Sequence, residues 1–318
     1  MVTPEWSSSP PAVLAFAGGV GGAKLALGFS LCLSPDDLVI CVNTGDDETF
    51  HGLHVSPDLD TMMYTLSGLY NQETGWGLAG DTFTALEMLG KFGVDAWFNL
   101  GDRDFATHIR RTQLLTEGKT LSEVTAELNR SLGVFHGIIP MSDDPVKTVL
   151  TTDEGELPMQ RYFVGHRAEP KVSEVRYVGV ETAAASPGLQ DALTRAGMLV
   201  LCPSNPYLSL GPILALPGVR QRMRAFSGKK VCVSPIVGGD AVTGPAGKIM
   251  VELGKQVSCV EVARGYRDIC DVFVMDDQDQ ALASEIEEMG IIPLVTSTIM
   301  NSEEDKIALA GEILALAD

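Results

Sequence analysis

The chain has 318 residues, 45% of them apolar and 20% charged, enough for one large or two moderate domains with a substantial core. Acidic side chains outnumber basic ones 42 to 23, a formal charge of −19, which argues against a broad electrostatic grip on nucleic acid or anionic lipid. A partner carrying phosphate would need a local binding device.

The opening stretch MVTPEWSSSPP has no positively charged n-region, and residues 1–11 are expected to be flexible. No apolar run approaches the ~20 residues of a membrane span. Six cysteines (Cys32, Cys41, Cys202, Cys232, Cys259 and Cys270) are scattered without CxxC spacing, the pattern of reduced thiols in a cytoplasmic protein.

The first predicted strand, residues 12–17, runs into GGVGGAK, with Gly18, Gly19, Gly21, Gly22 and Lys24 ahead of a helix over 22–32. Glycines there let backbone approach a ligand, and a helix start points N–H groups at an anion. The segment is neither a Walker loop nor a G-x-G-x-x-G fingerprint; a tight turn without ligand is the weaker alternative, because four glycines in five residues exceed what a turn requires. A second strand, 38–43, ends in VNTGDDE, with Asp46, Asp47 and Glu48, followed by Asp58 and Asp60 in SPDLDT. Carboxylates gathered at a strand end suit Mg²⁺, which takes one or two of them and fills its shell with water and phosphate. A helix cap is the lesser alternative for Asp58.

Helical patterns at 59–70, 82–91, 103–115 and 120–132 form an insertion over about 59–135. Within it, WFNLGDRDFATHIRR holds Trp97, Asn99, Asp102, Arg103, Asp104, His108, Arg110 and Arg111. Arg103 with His108 suits neutralisation of a phosphate, whereas Arg110 and Arg111 read best as solvated helix-face pairs and His108 more as a structural residue than a general base. PMSDDPVKT, with Ser142, Asp143, Asp144 and Lys147, is a proline-bounded loop or a substrate contact. The short runs VKTVLTT, QRYFVG and EVRYVG suggest an antiparallel excursion over about 147–180.

Four further strands, 198–203, 230–237, 271–276 and 291–297, alternate with helices at 246–254, 258–267, 279–288 and 303–316. The fold expected is a single α/β domain over 12–318, a doubly wound, mostly parallel Rossmann-like sheet with the helical insertion and the β excursion. Small polar residues and glycines follow these strands in CPSNPYLSLGP, SPIVGG and GPAGK. Ser204, Asn205 and Ser209 suit a base or ribose, and Gly238, Gly239 and Lys248 a diphosphate, in one crevice at the strand ends. The last helix is expected only to pack.

Taken in order, GGVGGAK, VNTGDD, SPDLDT, GWG with GDTF, LGDRDFATHI, PMSDDPV, PSNP with SLGPIL, SPIVGG and GPAGK resemble the 2-phospho-L-lactate transferase family of coenzyme F-420 biosynthesis, over residues 13–300. The resemblance implies transfer of a phospholactyl-type group from a guanosine diphosphate-activated three-carbon acid to a hydroxyl of the deazaflavin Fo, with Mg²⁺, releasing GMP. It places Asp46 and Asp60 at the metal, with Asp47 and Asp58 in reserve, and Asp60 and Asn99 near Fo. It makes Arg103 a catalytic cation and lays the guanosine nucleotide over Gly18, Gly19, Gly21, Gly22, Lys24, Ser204, Asn205, Ser234 and Gly238. Trp76 and Trp97 would stack on the deazaflavin, core packing being the equal alternative. A homodimer is expected. Phospholactate, phosphoenolpyruvate and phosphoglycerate donors are not told apart. The second reading is a non-catalytic nucleotide-sugar-binding regulatory protein of related fold, against which GDD and GDRD weigh; an NAD-dependent oxidoreductase lacks its fingerprint.

Overall fold

The computed structural model describes residues 12–317, so the expected flexible N-terminus lies outside the described residues. Its centre is a seven-stranded sheet: β1 Val13–Ala17, β2 Leu38–Val42, β3 Gly137–Pro140, β4 Met198–Leu201, β5 Lys229–Val233, β6 Val272–Asp276 and β7 Ile292–Thr296. Their order is β7-β6-β5-β4-β1-β2-β3, and every neighbouring pair is parallel. Every residue of β1 and β2 is buried, as continuous apolar runs require when helices cover both faces. Alternation divides them between two cores. Leu14 and Phe16 join Leu189, Met223 and Val262 on one face, while Val13, Ala15 and Ala17 join Phe29, Leu59 and Leu309 on the other.

Six of the seven strands are those predicted, and the seventh, β3, was not. It has only four residues, and Pro140 removes a ladder donor, which is tolerated because β3 pairs on one side alone, with β2. The helical insertion is present as α1 Gly19–Cys32 gives way to α2 Pro57–Leu66, α3 Thr84–Lys91, α4 Asp102–Thr116 and α5 Leu121–Ser131. It is introduced by an unpredicted hairpin, Glu48–Phe50 with Leu53–Val55. The excursion is three-stranded and antiparallel: Lys147–Thr152 pairs with Gly155–Pro158 and with Val172–Val178. The run QRYFVG, expected as a strand, is instead a π-helical turn over Arg161–Gly165. Met159, Gln160 and Tyr162 are all buried, which strict alternation does not allow for the adjacent Met159 and Gln160.

The C-terminal helix Glu303–Leu314 packs along α1, and Gly28 is what lets the two backbones meet: a Cβ there would sit 2.2 Å from the Lys306 carbonyl oxygen. All six cysteines are free, Cys32 being the exposed one. Among the described residues no helix is long and apolar enough to cross a membrane.

Candidate functional site

In the sheet, chain order reverses between β1 and β4, and the loops leaving the carboxyl ends of β1, β2 and β4 face one another there. The loop after β1 fits because its glycines lack side chains. A Cβ on Gly18 would lie 2.4 Å from Asp58 Oδ2 and 2.7 Å from Ser209 Cβ, and one on Gly21 would lie 2.4 Å from the Pro203 carbonyl oxygen. Gly19 has φ +64°, a left-handed conformation that favours glycine. The Gly18 amide donates to Ser204 Oγ at 3.1 Å and the Gly19 amide to Asp58 Oδ1 at 2.7 Å. The next amides of the first turn, of Val20 and Gly21, have no intrahelical acceptor and form the positive end of α1.

Asn43, one residue past β2, ties the carboxylates together. Its Nδ2 donates to Asp46 Oδ1 at 3.1 Å, Asp58 Oδ2 at 2.9 Å and the Leu208 carbonyl at 3.2 Å, while its Oδ1 accepts from the Gly45 amide. Gln160 Nε2, from the excursion, donates to Asp46 Oδ2 at 3.1 Å. Asp47 Oδ2 accepts from Ser56 Oγ at 2.8 Å and contacts His54 Nε2 at 3.0 Å, while its Oδ1 is buried with no partner among the described residues. Burial raises the Asp46 carboxyl well above the ordinary range, and the like charges of Asp58 and Asp47 add to it. Burial also raises Asp47, against the opposing pull of His54 and Ser56, and pushes Asp58 up to about 6 against its bonds from Asn43 and the Gly19 amide.

Asp60 faces another partner. Arg111, only 2% exposed, holds both its oxygens, Nη1 on Oδ2 at 3.1 Å and Nη2 on Oδ1. His108 lies beside the pair, with Nδ1 3.7 Å from Asp60 Oδ2 and Nε2 3.2 Å from Asp104 Oδ1, and Tyr64 donates to the same Asp104 oxygen at 2.6 Å. The reading of Arg111 as a solvated helix-face residue is therefore corrected: it compensates a buried carboxylate. Arg110 does make an exposed pair, with Glu127.

The remaining expected residues divide. Lys24 is half-buried on α1, its ammonium disfavoured by burial and by nearby Lys306. Lys306 is itself buried beneath Tyr70, so the C-terminal helix brings a charge as well as packing. Asn205 Oδ1 accepts from the Tyr207 and Leu208 amides and so shapes its own loop. Ser234 both donates to the Ile236 carbonyl and accepts from the Ile236 amide. Gly238, at φ +59°, donates to Asp279 Oδ2. Lys248, read as a diphosphate residue, is engaged by Glu252 and the Pro170 carbonyl. Arg103 is exposed on the first turn of α4, its Nη1 on the Ala79 carbonyl at 2.8 Å. Trp97 packs edge-on to Phe50, with the Arg161 guanidinium 4.5 Å over its ring; Trp76 and Asn99 are exposed. In the PMSDDPVKT loop, Asp143 accepts from the Ser122 amide and Asp144 from the Ala184 amide.

Asn43, His54, Ser56, Gln160 and the role of Arg111 were not read from the sequence as parts of the site. Asn43 lies within VNTGDD and was the accessible signal; Gln160 is 114 residues from the aspartate it meets.

The 2-phospho-L-lactate transferase family model matches residues 13–306. The chain is 39% identical to a 2-phospho-L-lactate transferase of Methanosarcina mazei, over 94% of this chain and 98% of that one. It is likewise 39% identical to a phosphoenolpyruvate transferase of Kitasatospora aureofaciens, over 96% and 98%. Its fold resembles a crystal structure from Bacillus halodurans, a member of the UPF0052 family, with TM-score 0.63 and 14% identity over 97% of this chain and 100% of that one.

Proposed function

The chain belongs to the 2-phospho-L-lactate transferase family, a family of transferases, and from that premise we propose that it moves a phosphate-linked three-carbon acid from a guanosine diphosphate-activated donor to a hydroxyl of the deazaflavin Fo, releasing GMP. In that reaction a P–O bond forms to the acceptor oxygen, the phosphoanhydride breaks, and the hydroxyl proton passes to solvent. The observation that carries the reading is the position of Asp58. One oxygen receives the Gly19 amide at the start of α1 and the other receives Asn43, which also holds Asp46. Asp58 thus joins the start of α1 to the buried carboxylates, an arrangement that supports transfer from a diphosphate.

Among the described residues no three acidic, histidine or cysteine side chains are grouped as a ready metal site, so a divalent cation rests on two narrower observations: Asn43 bridges Asp46 and Asp58, and the buried Asp47 Oδ1 has no partner. Asp46 and Asp47 would hold Mg²⁺, with Asp58 beside them; Asp60, expected at the metal, has Arg111 on both oxygens. When bound, Mg²⁺ supplies charge neutralisation for the bridging and departing oxygens. The Val20 and Gly21 amides and Lys24 would receive the diphosphate. Gln160 and Asn43 hold Asp46 in orientation, and Arg103 would neutralise the transferred phosphate from the start of α4. Fo is proposed to approach from the insertion side, near Trp76 and Asn99.

Incubating the protein with Fo, a guanosine diphosphate-linked donor and Mg²⁺ should release GMP in step with Fo consumption. Tight nucleotide binding with no GMP would instead favour the non-catalytic regulatory reading. Relatives carry both phospholactate and phosphoenolpyruvate names, so competition among the three donors, followed by mass analysis of the product, identifies the transferred group.

A further inference from the structure

We propose that a second cleft, outside the candidate active site, binds a small aromatic carboxylate, with the ring against apolar walls and the ionised group facing an excess of cations at the rim. The cleft lies where the Val172–Val178 strand, the loop after β4 and the helix Cys259–Tyr266 meet. Its volume is about 300 Å³, at the lower end of small-molecule sites. It shares the loop after β4 with the candidate active site, through Pro206, Tyr207 and Gly211, but none of the residues whose side chains build that site.

The rim reverses the sign of the molecule. Asp268 accepts from Arg220 Nε at 3.0 Å and from Arg224 Nε at 3.2 Å, so one carboxylate stands against two guanidinium groups. Glu261 is divided in the same way. Arg264 Nη1 lies 2.6 Å from its Oε2, whereas Lys255 Nζ is 3.6 Å from Oε1, beyond the length of a hydrogen bond. Four cations against two carboxylates leave these side chains with a sum of +2, in a chain whose total is −19. Arg220 spends Nε and Nη2 on Asp268 and the Gly265 carbonyl, and those bonds make no use of Nη1. A positive spot beside low-dielectric walls draws anions out of solution.

The interior sets the rest of the ligand. Leu214, Met250 and Val262 supply apolar wall, and Lys255 Nζ stands 5.7 Å over the ring of Tyr207, which also lines the cleft. A neutral ring would cover that wall and leave the cation excess unanswered. A small inorganic anion would answer the charge and cover no wall. A ring bearing one carboxylate does both, and its size matches the volume.

The test follows 4-fluorobenzoate by ¹⁹F NMR with the full-length protein, with 4-fluorobenzamide as the neutral ring of similar size. Saturable binding of the benzoate is expected, at least fivefold tighter than that of the amide, and at least threefold weaker in 0.5 M than in 0.05 M NaCl. Lys255→Met should weaken it at least fivefold. Glu261→Gln, which removes the carboxylate competing for the same ammonium, should tighten it at least twofold. Saturating GDP should not displace the benzoate, and thermal melts report that both variants are folded. Absence of saturable binding to the wild type, equal affinity for the amide, unchanged binding in Lys255→Met, weaker binding in Glu261→Gln or displacement by GDP would each overturn the proposal; if either variant does not fold, the amide, salt and GDP arms decide it.

Discussion

Asp60 and Arg111 are both almost completely removed from water, so each leaves the other as an uncompensated buried charge if lost. Arg111→Met is therefore expected to destabilise the protein by about 3–5 kcal/mol, and Asp60→Leu combined with Arg111→Met to recover most of that. Urea unfolding of the single and double variants measures it; additive losses would show that the pair is not coupled. Asp46 has a different role, since Asn43 and Gln160 hold it while its charge faces Asp47 and Asp58. Asp46→Asn keeps the shape and should cost at least ~30-fold in kcat at saturating Mg²⁺, about 2 kcal/mol, with GDP affinity within about threefold of wild type. Arg103→Ala should lower kcat/KM more than threefold, about 0.7 kcal/mol; a smaller change would reduce Arg103 to its bond with the Ala79 carbonyl. At this scale the sequence showed the carboxylates because they cluster along the chain. It hid Gln160 and the Asp60–Arg111 pair, because those contacts join residues 114 and 51 positions apart and exist only once the excursion and α4 have packed.

Gly18, the N-cap of α1, and Gly28, within it, separate the function of an element from its packing. At Gly18 the backbone is extended, so alanine introduces no backbone strain, but its Cβ would strike Asp58 and Ser209. Gly18→Ala should thus weaken GDP binding at least tenfold while costing under about 2 kcal/mol of stability. Gly28→Ala drives a methyl against the Lys306 backbone, where no side chain can rotate away, and should cost about 1–3 kcal/mol while leaving kcat/KM within about threefold. Calorimetric GDP titration and thermal melts on both variants check the contrast; equal effects on binding would remove the distinction. The elements themselves were legible where periodicity was long and unambiguous: β1, β2, β4 and α1 fall where apolar runs and a helical repeat placed them. It failed at β3, whose four residues end in proline, and at Arg161–Gly165, where Met159, Gln160 and Tyr162 all turn inward to form a wall and a bond to Asp46.

For the molecule as a whole, the charge of −19 and the raised carboxylates of the site act in the same direction over different distances. Asp58 is pushed up to about 6 from 3.8, so its folded form holds a proton more tightly than its unfolded form; the stability this gives is complete below about 4 and is lost as pH rises through 6. Asp268, held below the ordinary range by Arg220 and Arg224, and Asp276, lowered against its burial by bonds from Thr298 and Gln278, work oppositely. Their stability is present above 3.8 and is lost only as pH falls below it. The two windows do not overlap, so metal-free protein should melt highest near pH 5 and about 3–6 °C lower at pH 7.5. Surface repulsion contributes to the same trend but is screened within about 8 Å at 0.15 M salt, whereas the buried cluster is not. The pH 5 advantage should therefore survive 0.5 M NaCl, and Mg²⁺, which binds the ionised carboxylates, should raise the melting temperature more at pH 7.5 than at pH 5. A melting temperature that rises steadily from pH 5 to 7.5 in high salt would mean that Asp46, Asp47 and Asp58 impose no electrostatic cost on the fold.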